Sequence, residues 1–372
     1  MKSVQIITRH FIPNYGSLLQ SVASVKIFEE LGYQSQIIDY IPKTESILGN
    51  TTAYACNFSK NFLKRAAFWI LKLPDQCIKA LRFRGLRKHY VKQTKRFSSL
   101  KALTAYDFKN DYLCSGSDQL WGFVNDEKSI DPAYFLEFAK PESVCFAYSS
   151  SFGRTDFNEE YYKRLNEYLK KFSFITVREQ SGVELIETRT PYSAEHVLDP
   201  TLTVSREFWL DFANKPIKRK PYLLIYHLRR NKNLENYAAN LAKKNGWQIL
   251  RVSTSIYDLI KQGKTQLLKD PKTVLSLFKN AECVVTDSFH ATVFSLIYNR
   301  QFIDVLPAKT HERITDLLDL VGVQERAFPH DGEISLDAAT KPIDYERVNA
   351  VLANAREHSL TVLKNNLEKL EQ

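Results

Sequence analysis

Short apolar runs of strand length alternate with longer amphipathic stretches along almost the whole chain. Residues 4–8, Val-Gln-Ile-Ile-Thr, read as a strand. From 17 to 31, Leu18, Leu19, Val22, Val25, Ile27, Phe28 and Leu31 recur at helical spacing, and Gly32 supplies a stop. Residues 36–40 form the next strand, and a helical excursion broken at Pro74 follows to about 97. Strands are predicted over 112–114, 143–149, 174–177 and 197–199, with a helix over 157–170. The pattern then repeats: strands over 222–228, 248–252, 283–286 and 302–306, helices over 232–245, 271–280 and 291–298, and a long helix from 345 to 372. Such alternation predicts α/β architecture with mostly parallel sheets covered on both faces.

A chain of 372 residues is long for one core and suits two domains. The polar, basic stretch 214–221 carries two prolines and is the best linker. The division is therefore two Rossmann-like domains: 1–215, with a helical insertion at about 55–97, and 216–345, followed by the helix 346–372.

Charge changes the picture at one place. The formal net charge is +10, and cations crowd the segment from Lys60 to Arg96, interleaved with Phe68, Trp69, Ile70, Leu71 and Ile78. Two readings compete for residues 60–96: peripheral contact with an anionic membrane surface, or a helix whose apolar stripe packs on its own domain. The second is the expectation. No nucleic-acid motif accompanies the charge, so nucleic acid is not an expected partner. The five cysteines show no zinc or redox spacing, and no apolar run approaches a membrane span. With no signal peptide, these features point to the cytoplasm, with any membrane contact peripheral, at the inner face.

The chemistry concentrates at strand ends. Residues 284–291, Val-Val-Thr-Asp-Ser-Phe-His-Ala, read as a strand stopping in a polar turn that delivers His290 before a helix begins at Ala291. Ligands collect at the carboxyl ends of parallel strands, beside helix N-termini that favour anions. The plainer alternative has Asp287 or Ser288 capping the helix. Three further segments have similar character. They are residues 14–20 (Asn-Tyr-Gly-Ser-Leu-Leu-Gln), 116–121 (Gly-Ser-Asp-Gln-Leu-Trp), and 177–182 (Val-Arg-Glu-Gln-Ser-Gly) with 199–201 (Asp-Pro-Thr). Ser17 reads as a helix cap.

Together, in this order, these segments resemble the polysaccharide pyruvyl transferase family. The resemblance implies a two-domain fold similar to the GT-B glycosyltransferases, its sheets facing a cleft. It also implies transfer of a pyruvyl group from phosphoenolpyruvate to sugar hydroxyls. The acceptor would be a glycan or a lipid-linked sugar, and no cofactor or metal is expected. His290 is then the proton donor, and Asp118 accepts a proton from a hydroxyl. Arg178, Ser288, Arg229 and Arg313 hold the donor, with Lys309 a further cation. Asn14, Gly16, Ser17, Gln119 and Trp121 hold the acceptor, Trp121 by stacking on a sugar ring. The alternative for 118–121 is an Asx-type turn with a core tryptophan. Many family members carry an arginine two residues before the histidine and a glycine after it, where this chain has Ser288 and Ala291. That departure keeps two other classes open: a glycosyltransferase using a sugar nucleotide, and a non-catalytic polysaccharide-assembly protein.

Overall fold

The computed structural model describes residues 2–47, 49, 51, 61–108, 111–122, 130–215, 219–308 and 311–372. The chain divides into two compact units, Met1–Pro200 with Ser359–Gln372, and Thr201–His358.

Unit 1 is built on one parallel sheet. In chain order its elements are β1 (Ser3–Ile7), α1 (Tyr15–Glu30), β2 (Gln34–Ile37), α2 (Phe62–Tyr90), α3 (Leu100–Thr104), β3 (Asp111–Ser115), β4 (Asp118–Gln119), β5 (Cys145–Ser151), α4 (Glu159–Leu169), β6 (Phe172–Val177), α5 (Gln180–Arg189) and β7 (Glu195–His196). The strand order is β2-β1-β3-β5-β6-β7, with β4 beside β5. β5 is buried at every position, as a strand covered on both faces must be. The chain winds outward from β1 to β2 on one side and from β3 onward on the other, so the order reverses between β1 and β3. Residues 359–372 complete the unit. Leu198 N donates to Ser359 Oγ (2.9 Å), Tyr33 Oη to Glu371 Oε1 (2.9 Å), and Lys2 pairs with Glu371 (3.6 Å).

Unit 2 repeats the plan. Its elements are α6 (Pro200–Thr203), α7 (Arg206–Phe212), β8 (Tyr222–Tyr226), α8 (Lys232–Asn245), β9 (Gln248–Ser253), β10 (Lys264–Leu267), α9 (Pro271–Lys279), β11 (Cys283–Thr286), α10 (Phe289–Ile297), β12 (Gln301–Val305), α11 (Glu312–Val321), β13 (Ala327–Phe328) and the start of α12 (Tyr345–Lys369). The all-parallel order is β10-β9-β8-β11-β12-β13, reversing between β8 and β11.

Several elements differ from expectation. The units divide at Pro200, not at 215, because α7 packs into unit 2. The Trp209 ring meets Phe294 at 5.1 Å, and Tyr298 Oη donates to Trp209 O at 2.9 Å. Linker residues 216–218 and insertion residues 55–60 lie outside the described residues. α2 runs unbroken through Pro74. The strand predicted at 197–199 is displaced to Glu195–His196. α10 begins at Phe289, so His290 sits inside its first turn rather than before it. Among the described residues the apolar positions of α2 pack on their own domain only in part: Phe83 and Leu86 are buried and Phe68 and Trp69 half-buried, but Leu63, Ile70, Leu71, Ile78 and Leu81 are exposed.

Candidate active site

In unit 1 the polar residues gather beyond the carboxyl ends of β1, β3 and β6. β3 approaches β1 so closely at Gly116 that a Cβ there would lie 2.7 Å from Ile6 Cγ2. Asp118 follows with φ 86°, a left-handed conformation that Asp tolerates better than most residues. Its Oδ2 accepts from Ser17 Oγ (2.8 Å) and its Oδ1 from Gln119 N (2.8 Å). The helix cap of α1 is Asn14, whose side chain accepts from Gly16 N. That leaves the Ser17 hydroxyl, one turn in, for Asp118, and corrects the reading of Ser17 as the cap. Gln20 donates to Thr8 Oγ1 (2.9 Å), which in turn donates to Ser117 O (2.6 Å). The first and second strand-end loops are thus tied together by side chains.

The Arg178 side chain, just past the end of β6, has no exposed surface. Its Nη1 lies 2.5 Å from Asp199 Oδ2 and 3.2 Å from Ser117 Oγ. Its Nε lies 3.2 Å from Glu179, and its Nη2 3.7 Å from Asp118. Burial alone would lower the guanidinium pKa, but Asp199, Glu179 and Asp118 outweigh it and raise it, so the cation persists. A second pair lies nearby, half-buried Arg9 donating to buried Glu45 Oε2 at 3.0 and 3.3 Å. Burial pushes the Glu45 carboxyl up, and Arg9 offsets part of that.

In unit 2 the equivalent place is the reversal between β8 and β11. Asp287 reaches across it, accepting from Leu228 N (2.7 Å) and Arg229 N (3.1 Å). Burial raises its pKa despite those amides. Asp287 therefore fixes the loop after β8 rather than capping α10. Ser288 holds the cap position with extended backbone, but its hydroxyl makes no cap bond. His290 is 7% exposed, and its ring stands edge-on to Phe289 at 5.2 Å. The Arg313 guanidinium lies over the Phe289 ring at 5.5 Å. Behind the turn, Thr292 Oγ1 lies 2.9 Å from both carboxylate oxygens of fully buried Asp304, whose pKa burial drives well up. Beyond β8 and β9, Glu235 bridges three basic side chains. It is forked by Arg251 (2.6 and 2.8 Å) and met by Lys261 and His227, each at 3.1 Å. Burial opposes the charge on Glu235, but these partners hold its pKa far below the usual range.

The structure therefore joins Ser17, Asp118 and Arg178 in unit 1, with Asn14, Gly16 and Gln119 in the same loops. It gathers Ser288, His290, Arg229 and Arg313 in unit 2. Two expectations are corrected. Trp121 is no sugar platform: it is fully buried, stacked on Phe135 (5.3 Å), with Nε1 donating to Ser115 Oγ at 3.0 Å. Arg178 is no exposed donor clamp, because neighbouring carboxylates occupy its guanidinium. Lys309 lies outside the described residues. Pattern reading marked the segments of Ser117 and Asp199 without giving either a role, and missed Arg9, Glu45 and the Glu235 cluster. Arg9 stands in a strand-end loop, a position that could have marked it; Glu45 carried no local signal. Among the described residues, no group of His, Cys, Asp and Glu is placed to hold a metal ion, and no helix is long and apolar enough to cross a membrane.

The model of the family described as polysaccharide pyruvyl transferase matches residues 14–310. No curated protein matches the chain. Among solved structures, UDP-N-acetylglucosamine 2-epimerase from Rickettsia bellii is similar, with TM-score 0.55, 15% identity, and coverage of 100% of this chain and 97% of that one. The UDP co-structure of S. aureus MnaA gives 0.54 at 10% identity, covering 99% and 97%. The UDP-GlcNAc-bound 2-epimerase from Neisseria meningitidis gives 0.51 at 9%, covering 99% and 100%. At these identities the likeness concerns the fold alone: two parallel-sheet α/β domains of the GT-B type.

Proposed function

The chain belongs to the polysaccharide pyruvyl transferase family, and from that premise we propose that it moves a pyruvyl group from phosphoenolpyruvate onto two hydroxyls of a sugar. The sugar would belong to a surface-polysaccharide precursor carried on a lipid or a nucleotide, handled in the cytoplasm. The observation that carries the reading is the separation of charge between the two strand-end clusters. In unit 1, Asp118, Asp199, Glu179 and Glu45 outnumber Arg178 and Arg9. That is a setting for a neutral polyol, whose protons a carboxylate can accept. In unit 2, Arg229 and Arg313 outnumber Asp287, whose pKa burial raises, beside the N-terminal turn of α10, a setting for an anion.

The chemistry assigned to these groups balances. His290, protonated, delivers a proton to the methylene carbon of phosphoenolpyruvate, making a methyl group and a cation at the adjacent carbon. A sugar hydroxyl adds there as Asp118 takes its proton. The carbon–oxygen bond to phosphate then breaks, and the second hydroxyl closes the ketal. Of the two hydroxyl protons, one replaces the proton given by His290 and the other leaves with hydrogen phosphate. Arg229, Arg313 and the backbone amides near Ser288 neutralise the carboxylate and phosphate. Asn14, Gly16, Ser17 and Gln119 position the acceptor, Ser17 by holding Asp118.

A second reading, a sugar-nucleotide donor, is favoured by one feature: Ser288 puts no cation two residues before His290. A thermal-shift titration separates the two. Phosphoenolpyruvate at 100 times its Kd would stabilise the protein by about 2.7 kcal/mol, with uridine diphosphate sugars silent. The reverse result, together with no phosphate released from phosphoenolpyruvate, would replace the pyruvyl reading with the sugar-nucleotide one.

A further inference from the structure

The solvent face of α2 has no part in this chemistry. At about 100° per residue, Leu63, Ile70, Leu71, Ile78 and Leu81 fall within an arc of about 100°. They are 74%, 75%, 64%, 45% and 66% exposed. A helix of a globular protein normally turns such a stripe inward; here Phe83 and Leu86 anchor the other side. Cations border the stripe, Lys64 and Arg82 along one edge, Arg84 and Lys88 along the other, all exposed. The helix has a single acidic residue, Asp75, which is buried and paired with Lys79 at 2.6 Å. Where α2 ends, Arg84, Lys88, Lys92 and Arg96 line a groove of about 470 Å³ together with Asp39 and Thr94. Asp39 is already engaged by His10 and Arg96, each at 3.0 Å.

We propose that α2 docks the protein on an anionic phospholipid surface. The stripe enters the boundary between headgroups and acyl chains, and the groove takes a headgroup phosphate. An apolar band edged by cations is complementary to that surface. A second copy of the chain is a poorer occupant, since two such faces would set cation against cation. The helix is not apolar enough to cross the bilayer, so it lies on it. The inference rests on this face alone and is independent of the reaction.

The test is flotation of the full chain with phosphatidylcholine vesicles, with and without phosphatidylglycerol. The protein should float with the anionic vesicles, less so at high salt, and stay down with phosphatidylcholine alone. Replacing Ile70, Leu71 and Leu81 together by Ser should abolish flotation without shifting the melting temperature, because all three are exposed. Arg84→Glu with Lys88→Glu should weaken binding by roughly 25-fold or more, at about fivefold for each cation lost. Failure of the unaltered chain to float with anionic vesicles would overturn the proposal. So would flotation that survives the serine variant. A dimer in sedimentation equilibrium that the serine variant dissolves would instead make this face a self-interface.

Discussion

Replacing Arg178 by Met should unfold unit 1 before it affects substrate binding. The guanidinium is wholly enclosed and satisfies Asp199 at 2.5 Å and Glu179 at 3.2 Å, with Asp118 at 3.7 Å. Met fills much of the volume but leaves buried carboxylates without their counter-charge. Removing one partner of a buried pair costs about 3–5 kcal/mol. In a unit of this size each kcal/mol moves the melting temperature by about 2–4 °C, so a fall of roughly 6–20 °C follows. Arg178→Lys keeps the charge but loses the planar fork, and should fall between the two. Scanning calorimetry gives the numbers. The double variant with Asp199→Asn should recover part of the loss, because it removes one stranded charge. The reasoning fails if both single variants melt within about a degree of the unaltered protein while donor affinity drops, which is the behaviour of an exposed clamp.

His290→Ala should keep the circular-dichroism spectrum and lower turnover by a factor on the order of 10²–10⁴; undiminished turnover would remove His290 from the chemistry. Asp118→Asn should abolish turnover yet fold normally, since Asn also tolerates φ 86°, whereas Asp118→Ala should in addition lose about 1–2 kcal/mol to left-handed strain. Asp304 has a folded-state pKa above its unfolded one, so it costs stability once the pH passes the unfolded value near 3.9. Asp304→Asn should therefore raise the melting temperature at neutral pH and leave it nearly unchanged below about pH 4; equal shifts at both pH values would contradict this.

Much of the α/β plan was legible because central parallel strands are buried on both faces and read as continuous apolar runs. β11 (Cys283–Thr286) has the predicted bounds, and β8 differs only at its end. The edge strand β10, Lys-Thr-Gln-Leu, has no such run and went unread. The candidate site was legible as positions but not as roles. Strand-end loops announced Asp118, Arg178 and His290. What Arg178 does was fixed by Asp199 and Ser117, 21 and 61 residues away, which no local pattern reveals. Trp121 carried the same ambiguity, resolved by its stack on Phe135. The periodicity of α2 showed an amphipathic helix, but periodicity does not say which face turns outward.

The return of residues 359–372 to unit 1 has a consequence for biogenesis. Tyr33, Lys2 and the backbone at Leu198 wait for partners at Glu371 and Ser359. On the ribosome, unit 2 must be translated in between, which at about 5–20 residues per second takes roughly 10–30 s. During that interval the first sheet is nascent and unsealed, so it is exposed to chaperones and proteases longer than its own size requires. Unit 2 faces a shorter wait. A stop codon before Ser359 would spare the residues of both candidate clusters yet leave the first unit permanently in that unsealed state.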